Sequence, residues 1–250
     1  MDDLSEHMET LTIVDEDTAE EEIETLWQVL LADGNSKRII VRSDFSNIDI
    51  EAEDMLRMRD GEWLNDQVIN FYLGLLQQRE LRKNPVNPRF HFFSTFFYNK
   101  LSSKQYNYQA VRKWTLPKKI GYNILNCEKL IVPVHQEKKK HWVMGVINIR
   151  QQRIEFYDSL SGVDKLCMRN LQSYILDEFA DKGSEDLNTQ AWSQEVVHNN
   201  PHQTNAIDCG VFMLSYIDCI SSDAPFTFSQ EDIPSIRKRF ALQILKNRVD

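Results

Sequence analysis

Ile23, Leu26, Trp27 and Leu30 stand three and four residues apart, which puts one apolar stripe on a helix, and Gly34 marks its end. The spacing predicts a short helix from about Glu22. A second stripe, Val68, Phe71, Tyr72, Leu75 and Leu76, follows Asn65 as N-cap and Asp66 in the first turn, where the positive end of the helix dipole favours a carboxylate. Two later helices are expected. One carries Leu171, Ile175 and Phe179 and closes near Gly183; the other carries Ile233, Ile236, Phe240 and Ile244 behind the capping-box pattern Ser229-Gln-Glu-Asp232. Between these helices the pattern turns to β-structure. Lys129–His135 and Trp142–Ile149 read as strands, and the polar turn at residues 150–152 returns the chain through Arg153–Asp158 as a hairpin. Phe90–Tyr98 packs six aromatics into nine positions and reads as core. Strands in the middle with helices on both flanks predict an α+β domain and not a regular βαβ array.

Charge divides the chain further. The formal net charge is −9, but the first 36 residues hold twelve acids and no Lys or Arg, leaving 26 acids against 29 bases in the remainder. Residues 1–22 are therefore expected to be an acidic, disordered leader, and residues 23–250 one nearly neutral domain with enough apolar content for a real core. Bulk charge offers no case for nucleic-acid binding. No stretch approaches 18 uninterrupted apolar residues, and the opening MDDLSEHMET lacks the basic and apolar regions of a signal peptide, so no membrane insertion is expected. Cys127, Cys167, Cys209 and Cys219 are too sparse to staple the chain and show no C-x-x-C spacing. An intracellular protein with reduced thiols follows as the expectation. His198 and His202 are separated by Asn-Asn-Pro and cannot share a helical face, and there is no Gly-rich phosphate loop, so neither metal nor cofactor is expected.

Among the cysteines, Cys209 differs in context. It opens the apolar run Val211–Ile217 after a polar, Pro-containing loop, and a helix N-terminus with a nearby His lowers a thiol's pKa. Gly210 beside it would let a substrate backbone approach. Such a nucleophile needs a base and the base an orienter. His141 heads one strand of the hairpin and Asp158 ends the other, so antiparallel pairing returns both to one end. Gln203, six residues before Cys209, could donate its amide to an oxyanion. Each has a plainer reading on spacing alone: His141 as a surface histidine after Lys138-Lys-Lys140, Asp158 as a turn residue, Gln203 as loop polarity. The basic runs Lys138–Lys140 and Arg237–Arg239 read equally as import or docking patches and as solvated faces.

At these residues the sequence closely resembles the Ulp/SENP family of SUMO-specific cysteine proteases. Trp63-Leu-Asn-Asp66 with Val68–Tyr72, the aromatic segment Phe93–Tyr98, His141-Trp142, Asp158-Ser159 and Pro201-x-Gln203-x-Asn205-x-x-Asp208-Cys-Gly210-x-Phe212 match the family's blocks in order. Val143-Met144, His202 and Ala206-Ile207 depart from its usual residues without removing a catalytic group. The resemblance implies a papain-like cysteine-protease fold, a central mixed or antiparallel sheet flanked by helices, with residues 23–250 as the catalytic domain. It implies Cys209 as nucleophile, His141 as base and acid, Asp158 as orienter and Gln203 as oxyanion donor. Trp63 and Trp142 would wall a tunnel for the modifier's Gly-Gly tail, and Asp66 would meet a basic residue on its globular face. The expected activity is cleavage after the C-terminal Gly-Gly of SUMO, for deconjugation of lysine-linked conjugates or precursor processing, by a monomer without metal or cofactor. A protease for another ubiquitin-like modifier, or a non-catalytic SUMO-binding module, are the alternatives. The nucleus or nuclear envelope is the implied location, with the cytoplasm as the other choice.

Overall fold

Five strands carry the centre of the fold: β3 (Phe90–Phe92), β4 (Lys129–Gln136), β5 (His141–Asn148), β6 (Arg153–Tyr157) and β7 (Ser193–Val196), hydrogen-bonded in that order. The computed structural model describes residues 16–183 and 192–250. β4, β5 and β6 run antiparallel to one another, while β3 and β7 join the two edges in parallel, so the sheet is mixed. Both faces are covered, which explains why β5 is apolar nearly throughout and buried at every position. Trp142, Met144 and Val146 face one core, and Val143 and Ile147 face the other. Pro133 is tolerated inside β4 because the Ile131 carbonyl accepts from Phe93 on the β3 side, and Pro133, two residues on, points the same way past the end of β3.

The α-helices among the described residues are α1 (Glu16–Asp33), α2 (Ala52–Leu56), α3 (Asp66–Lys83), α4 (Phe96–Ser102), α5 (Pro117–Ile120), α6 (Lys165–Lys182), α7 (Cys209–Ser221) and α8 (Ile233–Leu245). α7 packs on one face of β5, joined by α3 and α8, and α6 packs on the other. Gly145 makes the second contact close, since a Cβ there would lie 2.3 Å from Leu171 Cδ1. A small hairpin, β1 (Ile39–Ser43) with β2 (Ile48–Glu51), leads into α2. The architecture is α+β, as the grouping of strands and helices predicts. No helix among the described residues is long and apolar enough to cross a membrane.

Three expectations need correction. The first helix starts at Glu16 and not near Glu22, so the expected leader boundary falls inside α1; residues 1–15 lie outside the described residues. Glu20 and Glu24 both pair with Lys238 of α8, while Ile23, Leu26 and Leu30 are buried. Phe96 in the aromatic segment is exposed, although its neighbours are core. Arg237 belongs to no surface patch: it is wholly buried, because it falls on the Ile233, Ile236, Phe240 stripe of α8.

Candidate active site

The register that pairs Met144 with Tyr157 carries Asp158 back to the start of β5, where His141 stands. His141 Nε2 meets Asp158 Oδ1 at 2.6 Å, and both side chains are buried. The carboxylate also accepts from the backbone N–H of Leu160 at 2.8 Å and of Gly162 at 3.1 Å. Gly162 is required there in a strict sense: a Cβ would lie 2.3 Å from Asp158 Oδ2. Burial opposes the charge on Asp158, but the hydrogen bonds from His141 and the two amides outweigh it and hold the carboxyl below its usual range. Burial likewise opposes the charge on His141, yet hydrogen bonds to Asp158 and Cys209 prevail and raise its pKa to about 9. At neutral pH the ring is therefore an imidazolium. With Nε2 on the carboxylate, Nδ1 is left for the thiol.

Cys209 is the first residue of α7 and is buried. The turn that delivers it is built by Asn205, whose Oδ1 accepts from Ile207 N and Asp208 N and whose Nδ2 donates to Asp208 Oδ2 at 2.6 Å. Gly210 has a packing reason that its sequence context does not reveal, because a Cβ there would sit 3.1 Å from the Leu64 Cβ. That contact seats the start of α7 against the segment leading into α3. Gln203 is buried close by; its Oε1 accepts from Ser159 Oγ and its Nε2 donates to the Asn205 carbonyl, both at 2.6 Å.

A cleft of about 320 Å³ opens onto Cys209, lined among others by Trp63, Asp66, His135, Lys140, Trp142 and Ile207. Trp142 is buried and its ring lies 4.5 Å from that of His135, so this wall is fixed. Trp63 is 42% exposed and has the Lys140 ammonium 5.6 Å above its ring. Asn65 caps α3 through Val68 N, which puts Asp66 in its first turn at the rim of the cleft. Of the seven residues singled out from the sequence, Trp63, Asp66, Trp142 and Cys209 line this cleft, His141 and Asp158 are joined to Cys209 by hydrogen bonds, and Gln203 is bonded to Ser159 and Asn205 and not to a residue that lines it. Sequence reasoning gave no role in the site to Ser159, Asn205 or Gly162, and read Lys140 only as part of a basic run. The Asn-x-x-Asp spacing of residues 205–208 is a legible turn signal; the contact of Ser159 with Gln203 spans 44 residues and leaves no local trace.

A histidine held by a carboxylate and bonded to a cysteine at a helix start is an arrangement suited to nucleophilic catalysis. Comparisons with known proteins point the same way. Residues 62–249 match the Ulp1 protease family, C-terminal catalytic domain. The chain is 41% identical over 217 residues to the ubiquitin-like-specific protease ESD4 of Arabidopsis thaliana, covering 86% of this chain and 44% of that protein. It is 36% identical over 218 residues to human sentrin-specific protease 2, covering 86% of this chain and 35% of that one. The chain therefore spans less than half the length of either relative. Among solved structures it is similar to the C-terminal Ulp1 protease domain in complex with Smt3, the yeast ortholog of SUMO. The TM-score there is 0.75 at 27% identity, covering 91% of this chain and 95% of that one. The site, the sheet that carries it and the extent of these matches together assign the chain to the Ulp1 protease family.

Proposed function

We propose that the chain is a SUMO protease, cleaving after the modifier's C-terminal Gly-Gly by thiol acyl transfer. The observation that carries this reading is the hydrogen-bonded series Cys209, His141, Asp158 at the end of a cleft walled by two indoles. Two such walls accept an extended Gly-Gly strand and reject bulkier residues by clash, so selectivity rests partly on what cannot fit. Asp66, at the rim, suits a basic residue on the modifier's globular face. The likeness to an enzyme solved with Smt3 supports the same substrate class.

In the first half-reaction the Cys209 thiolate attacks the carbonyl carbon of the terminal glycine. Charge developing on the oxygen is met by the Gln203 amide and the positive end of α7. His141 then gives its proton to the departing nitrogen, the C–N bond breaks, and a thioester remains on Cys209. The amine released is a substrate lysine in deconjugation or a C-terminal extension in precursor processing. Neutral His141, still oriented by Asp158, takes a proton from water as it attacks the thioester, and the sulfur leaves as thiolate. By the family resemblance the enzyme works as a monomer, without nucleic acid, in the nucleus or at its envelope.

Fluorogenic reporters of SUMO and of a second ubiquitin-like modifier ending in Gly-Gly test the reading. Turnover is expected to favour SUMO by about 100-fold or more in kcat/KM. The opposite order would transfer the activity to the other modifier.

A further inference from the structure

Arg237 lies in α8, away from the reacting atoms, yet its wholly buried guanidinium is bonded on two sides to the site. Nη1 donates to the carbonyls of Arg57 at 3.2 Å and Arg59 at 3.0 Å. Nη2 donates to the Glu62 carbonyl at 2.8 Å and to Asp208 Oδ1 at 2.5 Å. The three carbonyls belong to the loop between α2 and α3 that carries Trp63, and Asp208 immediately precedes Cys209. One planar group thus ties the exposed indole wall to the turn that delivers the nucleophile. The far side of Asp208 is also held, since Oδ2 accepts from Asn205 Nδ2 at 2.6 Å and Gln230 Nε2 at 2.8 Å. From Asn205 the hydrogen bonds continue to Gln203 and Ser159, next to Asp158.

Neutralising the Asp208 carboxylate would need only a positive charge. The three carbonyl acceptors need a fork, and they lie in a short irregular loop whose other tie to the start of α7 is the packing of Leu64 on Gly210, a contact that carries no hydrogen bond. We propose that Arg237 is a positioning residue that holds the Trp63 wall in register with Cys209, so that binding of the Gly-Gly tail and its presentation to the thiol depend on one guanidinium. The inference rests on the roles given to Cys209 and Trp63 above.

A double-mutant cycle on the full chain tests it, using kcat/KM for the SUMO reporter well below the melting temperature of each variant. Arg237→Lys keeps the charge against Asp208 but replaces the fork with a point donor. Trp63→Ala is expected to cost about 30-fold or more in the native background and less than about threefold in Arg237→Lys, because the wall is already displaced. Most of the Arg237→Lys loss is expected in KM, while alkylation of Cys209 by iodoacetamide keeps its rate and pH profile within about twofold. Should Arg237→Lys fail to fold, Arg237→Met combined with Asp208→Asn leaves no buried charge unpaired and is judged by the same cycle. Independent, multiplying losses, or an Arg237 variant within about twofold of wild type, would overturn the proposal. A wild type inert toward the reporter would sink the functional reading itself, and this inference with it.

Discussion

Cys209→Ala is expected to reduce turnover of a SUMO C-terminal reporter by at least about 10⁴-fold while leaving its affinity within a few-fold. The substitution removes the attacking sulfur but neither indole wall, so binding and chemistry should separate. The other cysteines serve as internal controls. Burial pushes the Cys127 thiol up to about 12 and raises Cys167 and Cys219 as well, so all three stay protonated at neutral pH. Cys219→Ser should accordingly retain turnover within about twofold. Steady-state kinetics on the two variants make the check, and residual turnover of more than a few per cent in Cys209→Ala would remove Cys209 as nucleophile.

Asp158→Asn is expected to lower kcat/KM by about 10²- to 10³-fold and to move its pH profile. The loss should be smaller than the ~10⁴-fold typical of a serine nucleophile, because a thiolate attacks well with less help from the base. The sign of the pH effect follows from the pair. His141 has its pKa raised to about 9, so the imidazolium that the ion pair and the departing amine need is present below that pH and lost above it. The native profile should therefore fall on an alkaline limb near pH 9. An amide at position 158 cannot supply the attraction that raises the imidazole, so the limb should shift toward acid by about one unit or more. An unchanged limb would mean that Asp158 does not control His141.

How much of this could be read from the chain depends on the distance over which each signal acts. The helices α3, α6 and α8 follow from apolar periodicity and caps within one or two turns, and the β5–β6 hairpin from a short polar turn between apolar runs. That hairpin alone brings His141 to Asp158. The edge strands β3 and β7 have three and four residues and no alternation of their own; they exist because the sheet edges beside them needed partners. α1 starts upstream of its apolar stripe, and Glu20 and Glu24 meet Lys238 more than 200 residues away, a contact that no local pattern shows. Arg237 shows a legible position misread through its residue type. It continues the helical stripe of Ile233 and Ile236, but in a run with Lys238 and Arg239 it looked like surface charge. A cationic residue at a buried helical position is the stronger signal, since an arginine is held in a core only by partners for its donors.

The most direct measurement is to expose the full chain to SUMO bearing an electrophile in place of its C-terminal carboxylate, digest the product and map the adduct by mass spectrometry. One adduct per chain is expected, on Cys209, and its formation should be abolished by Cys209→Ala. Labelling of Cys127, Cys167 or Cys219 in its place, or no labelling of a folded chain, would contradict the account.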